Sequence, residues 1–145
     1  MRSSPGAPSE TAPFSHMLVG DLDSDRAHAC AQRLRTIGAP VTQFVGPADE
    51  TIKEMVATIP SRSLCMAYID PYNLELLSFS LIEALANLRV DLAINFSTMD
   101  LQRNAELEFD PKRARFDEAA PGWRQDPAVL NASKQGLPLA FFHYW

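Results

Sequence analysis

A chain of 145 residues is the length of one domain. Its 46% hydrophobic and 21% charged residues are those of a folded globular protein and exclude intrinsic disorder. A net charge of −5 makes no electrostatic case for a protein that wraps DNA or RNA, and no apolar run approaches the roughly 18 residues of a membrane helix.

The segment 1–15 is rich in Pro, Ser and Gly and reads as a loop without the apolar stretch of a signal peptide, so a cytoplasmic location is expected. Met17 to Leu22 reads as a short strand ending at acidic residues, and Asp23 or Ser24 can cap the helix that follows. In that helix Ala27, Cys30, Ala31, Leu34 and Ile37 recur at the helical period and predict one apolar stripe, stopped by Gly38 and Pro40. Val41 to Val45 is a second strand. After the turn Gly46-Pro47-Ala48, Asp49 can cap a second helix, with Ile52, Met55, Val56 and Ile59 on one face. Leu64 to Ile69 is nearly continuous in apolar residues, as expected of a strand covered on both faces. A third helix is predicted over roughly Ser78 to Leu88, with Leu81, Ile82, Leu85 and Leu88 inward. Val90 to Phe96 is the fourth strand, and a polar stretch from Met99 to Glu108 follows with helical character.

Strands alternating with helices at this short spacing predict an α/β fold: a Rossmann-like, doubly wound parallel sheet over residues 16–108. The segment 109–145 reads as irregular or helical and is interrupted by Pro111, Pro121, Pro127 and Pro138. It ends on the apolar run Leu139 to Trp145, which reads as a chain cut in mid-domain. Cys30 and Cys65 belong to no CxxC pair and are expected to be buried free thiols, with no metal site.

In an open α/β sheet, ligands bind beyond the carboxyl ends of the strands. Three of those ends are polar here. Asp21 and Asp23 follow the first strand, where a carboxylate can accept from both hydroxyls of a ribose; the competing role is helix capping. Asp49 follows the second strand and could accept from an adenine amino group or cap its helix. Asp70-Pro71-Tyr72-Asn73 ends the third strand and carries the sharpest local signal. Its proline fixes the backbone, its aromatic ring can stack on a planar substrate, and its carboxylate can accept a proton or a hydrogen bond from an amine. The alternative is a turn with a buried Tyr72. A fourth segment, Asp100 to Asn104, could reach the same edge or simply begin a helix. His16, His28 and His143 are scattered and form no nucleophile arrangement. Lys112, Arg113 and Arg115 form a small basic cluster, but Asp110, Asp117 and Glu118 surround it, so it reads as an ordinary solvated segment and nucleic acid gains no support as a partner. No GxGxxG, P-loop or other glycine-rich strand-to-helix turn is present.

These motifs, in this order, resemble those of the bacterial three-Cys-motif partner proteins: Asp21-Leu22-Asp23, Gly46 to Asp49, Tyr68 to Tyr72, Leu81 to Leu85, Val90 to Phe96 and Met99 to Asn104. The resemblance covers roughly residues 3–145 and is most specific over 64–104. It implies a fold like that of the S-adenosylmethionine-dependent methyltransferases, and a partner with three clustered cysteines that looks like a radical-type iron–sulfur protein. By the same analogy Asp21 or Asp23 matches a ribose-binding acid and Asp49 an adenine-side acid. Asp70, Pro71 and Tyr72 match the catalytic edge, and the adjoining Asn73 is counted with them as a candidate catalytic residue. The sequence departs from the family in lacking its first helix and glycine-turn strand. It also departs in Asn73, where glycine is usual, and in Pro47, where an acid is common.

Two functions of different class follow. One is a methyltransferase-like enzyme, of which this chain is an incomplete and inactive piece. The other is a non-catalytic module that docks the cysteine-rich partner, in phage-related or defence biology. A relict fragment without activity is a third reading. Without the glycine-turn strand the sheet would leave interior strand edges exposed, and the chain is then expected to be marginally stable or prone to aggregate.

Overall fold

The computed structural model describes residues 14–110 and 116–145, except the side chains of 105–108. Residues 1–13 of the segment 1–15 expected to be a loop, and the basic cluster Lys112, Arg113 and Arg115, lie outside the described residues. The chain divides into two compact units, Met1–Ile59 and Pro60–Trp145.

The first unit runs β1 (Met17–Asp21), α1 (Ser24–Thr36), β2 (Val41–Val45), α2 (Ala48–Thr58). β1 and β2 pair in parallel, with Met17 beside Val41 and Asp21 beside Val45. Asp23 caps α1, accepting from the backbone N–H groups of Asp25 and Arg26. The apolar stripe of α1 is narrower than its period suggests: Ala27 and Ala31 are fully buried, whereas Cys30 is exposed and Ile37 is 65% exposed. At about 100° per residue, Cys30 and Ile37 lie some 60° and 80° round the helix from Ala27, on the rim of the stripe. The expectation of two buried thiols therefore fails at Cys30, and Cys65 is only half-buried. In α2 the apolar face Ile52, Met55, Val56 and Ile59 is half-buried, and its fully packed residue is Thr51. The Thr51 hydroxyl donates to the Pro47 carbonyl at 3.0 Å, which satisfies a polar group on the covered side.

The second unit begins with β3 (Leu64–Ile69), a 3-10 turn (Leu74–Leu76), α3 (Phe79–Leu85), β4 (Arg89–Ile94) and α4 (Thr98–Glu108). A 3-10 turn (Trp123–Gln125), α5 (Pro127–Leu130) and α6 (Leu137–Tyr144) complete it. β3 and β4 pair in parallel, Leu64 beside Arg89 and Ile69 beside Ile94. Ser78 caps α3 through the Ser80 N–H, and the helix ends at Leu85, three residues short of the predicted Leu88. Leu81 and Leu85 are buried, while Ile82 and Leu88 are half-buried. The core gathers Leu74, Leu77, Leu101, Phe116, Trp123, Val129, Leu137 and Phe141. The Trp123 indole packs on Phe109 and Phe141, with ring centroids 5.4 and 6.1 Å away. Its N–H donates to Asp117 at 2.7 Å, so a buried polar edge is satisfied. The apolar run at the end of the chain thus forms α6, and its Phe141 is part of the core.

The fold is mixed α/β with short parallel strands, and the ladders make two sheets of two strands each rather than one sheet of four. β3 departs from its expected cover. Leu64, Met66 and Tyr68 are 84%, 59% and 69% exposed, while the alternate residues Cys65, Ala67 and Ile69 are half-buried. Side chains on a strand alternate between faces, so a continuous apolar run fixes neither how many faces are covered nor which. Here one face of β3 is open.

Candidate functional site

Both strand pairs present polar groups at their carboxyl ends. In the first unit the Gly46 N–H donates to the Asp21 carbonyl at 3.1 Å, extending the β1–β2 ladder by one step. Gly46 has φ of 147°, a conformation that favours glycine and turns the chain sharply into α2. Asp21 uses Oδ1 to accept from the Asp23 N–H at 2.8 Å, and its other oxygen remains available. The Asp23 carboxylate is engaged with the first turn of α1 and lies 3.9 Å from the Arg26 guanidinium. Of the two acids after β1, Asp21 is the one free to meet a ligand.

Asp49 does not cap α2. The helix begins at Ala48, the cap position is Pro47, and no side chain caps it. Because Pro47 takes the cap position, Asp49 falls one residue inside the helix, where its charge complements the helix dipole and its side chain is exposed. Its carboxylate and that of Asp21 both follow the carboxyl ends of this strand pair. Carboxylates of this kind accept from hydroxyl and amino groups.

In the second unit Asp70 follows β3 and Asn95 follows β4. The Asn95 side-chain amide donates to Asp70 Oδ1 at 2.6 Å, and the Asn95 N–H donates to the Ile69 carbonyl at 2.8 Å. The amide fixes one carboxylate oxygen and leaves the other toward solvent. Pro71 is half-buried, and Tyr72 is 93% exposed, contrary to the alternative of a buried aromatic anchor. Asn73 caps the Leu74–Leu76 turn, its Oδ1 accepting from the Leu76 N–H at 3.1 Å. This bond accounts for asparagine at that position.

Asp100, in the first turn of α4, accepts from the Leu74 N–H at 3.0 Å and from the Asn104 side chain. The helix after β4 thereby holds the loop after β3, so the Asp100 to Asn104 segment reaches the same edge. The acid–Pro–aromatic signal located Asp70; nothing local could have located Asn95, its partner 25 positions away. The Asp70–Asn95 pair, the exposed Tyr72 ring and the Asp100 brace form a carboxylate-bearing edge able to accept from an amine and to stack a planar group.

Among the described residues no helix is long and apolar enough to cross a membrane. Comparison of the chain with protein-family models, with curated proteins and with solved structures gives no match.

Proposed function

We propose that the chain is the methyltransferase-like domain of a three-Cys-motif partner protein, built on the plan of a doubly wound Rossmann-like sheet and inactive by itself. In this reading Asp21 and Asp49 hold the ribose and adenine of S-adenosylmethionine, and Asp23 shapes the turn by capping α1. Asp70, Pro71, Tyr72 and Asn73 form the acceptor side, and a cysteine-rich iron–sulfur-type protein is the working partner. The cofactor would supply an electrophilic methyl group, while the chain's own residues bind, orient and accept hydrogen bonds.

The observation that carries the reading is the carboxylate at the end of β3, held by the amide at the end of β4. Within the first unit, separately, Asp21 and Asp49 follow the carboxyl ends of the parallel β1–β2 pair. The test is calorimetric titration of S-adenosylmethionine into two forms, this chain and one extended upstream by a glycine-turn strand, each with Asp21→Ala and Asp70→Ala variants.

A second reading, a non-catalytic module that docks the cysteine-rich partner, is favoured by the open face of β3, where Leu64, Met66 and Tyr68 are more than half exposed. It predicts partner binding that is insensitive to Asp21→Ala and to added cofactor.

A further inference from the structure

A groove of about 550 Å³ lies past the carboxyl end of β4, between the first turns of α4 and α6. Its volume falls within the range of small-molecule sites. Ile94, Phe96, Leu139 and Phe142 give it apolar and aromatic walls, and Thr98, Gln102 and Gln135 bring a hydroxyl and two primary amides. Among the described residues no charged side chain lines it.

Three features narrow what it can hold. Leu139 and Phe142 are 62% and 59% exposed, so large apolar area faces the groove and solvent rather than the core. Phe96 and Phe142 meet edge to face, with ring centroids 6.3 Å apart, and so present ring surface in two orientations to anything placed beside them. Within the described residues the side chains of Thr98, Gln102 and Gln135 make no hydrogen bond. A primary amide offers a donor and an acceptor side by side, the pattern that reads the edge of a planar base. Aromatic walls stack its faces. None of the described lining residues is a cation, the usual partner of a phosphate or carboxylate.

We propose that this groove binds an uncharged, planar heteroaromatic ring of the nucleobase class, with Phe96 and Phe142 against the ring and Gln102 and Gln135 on its polar edge. The site goes beyond the function proposed above and does not rest on it, because the ring needs no cofactor to bind.

Adenosine is the probe, titrated while tryptophan emission is followed; the Trp145 ring lies 5.9 Å from Phe96, which lines the groove. A saturable change is expected. Adenosine 5′-monophosphate is expected to bind within about 2-fold of adenosine, since no cation is present to reward its phosphate. Gln102→Ala and Gln135→Ala are each expected to weaken binding about 5-fold, one neutral hydrogen bond apiece. Phe142→Ala is expected to weaken it about 10-fold through lost stacking. Far-ultraviolet circular dichroism checks that each variant folds, and Gln102→Glu, equal in size, repeats the polar test. A single-stranded oligoadenylate that binds more than about 10-fold tighter than adenosine assigns the ring to a nucleic-acid strand. Equal binding assigns it to a free nucleoside. The proposal is overturned if a folded chain gives no saturable change up to the solubility of adenosine. It is equally overturned if both glutamine variants bind like the native chain, or if toluene displaces adenosine at equal concentration.

Discussion

Replacing Asp100 by alanine should loosen the loop that carries Asp70 to Asn73. The Asp100 carboxylate accepts from the Leu74 N–H at 3.0 Å, and Leu74 is fully buried. A hydrogen bond to a charged acceptor contributes about 1.5–3 kcal/mol, and an orphaned buried N–H lies in the same range. The Asn104 amide, on a half-buried residue, can turn to water and adds little. We expect Asp100→Ala to cost about 2–3 kcal/mol, and Asp100→Asn about 1 kcal/mol because the amide oxygen still accepts from Leu74. Urea unfolding followed by tryptophan emission is the assay, since Trp123 and Trp145 both lie in the second unit. With a urea dependence of about 1–3 kcal/mol per molar, the alanine variant should unfold at a midpoint lower by about 0.7–3 M. A change under about 0.5 kcal/mol, or an asparagine variant as damaged as the alanine variant, would refute the brace.

Trp123→Ala should cost about 3–5 kcal/mol and abolish the near-ultraviolet circular dichroism of the second unit, because the indole is 2% exposed among Phe109 and Phe141. Gly122→Ala should cost about 1–3 kcal/mol in the same urea assay. Its φ is 87°, and a Cβ there would stand 2.9 Å from the Tyr144 hydroxyl, which already donates to the Pro121 carbonyl. Asp23→Ala should cost about 1 kcal/mol by uncapping α1. Met66→Lys, at a residue 59% exposed, should change stability by less than about 0.5 kcal/mol. It should also lower the concentration-dependent rise in light scattering expected from the open face of β3. Unaltered scattering would place self-association elsewhere.

Much of the chain's local structure was legible because it rests on neighbours in sequence. β1, β2, α1 and the capping by Asp23 follow from period and end residues within each segment. Pairing between strands is not local. The same apolar run fits a strand covered on one face or on two, and only the structure shows β3 paired with β4 and Leu64, Met66 and Tyr68 left open. The C-terminal segment hid the core for a related reason: its turns and helices are short and separated by proline, so no long hydrophobic period develops. Trp123, Val129 and Phe141 are nonetheless buried together. Of the candidate site, Asp70 was visible from its motif, whereas the bonds that hold it in place join residues 25 and 26 positions apart. Asp49 was assigned a cap that Pro47 occupies, a shift of two residues at a helix start, where sequence signals are weakest.

Calorimetric titration with S-adenosylmethionine decides whether the strand-end acids form a cofactor site. In a Gln102→Ala, Gln135→Ala background, which removes the polar edge of the groove beside α6, no heat of binding is expected for this chain and one-to-one binding for the form extended by a glycine-turn strand, with affinity reduced by Asp21→Ala. A folded extended form that gives no heat, or one that binds equally well with Asp21→Ala and Asp70→Ala together, would contradict that expectation.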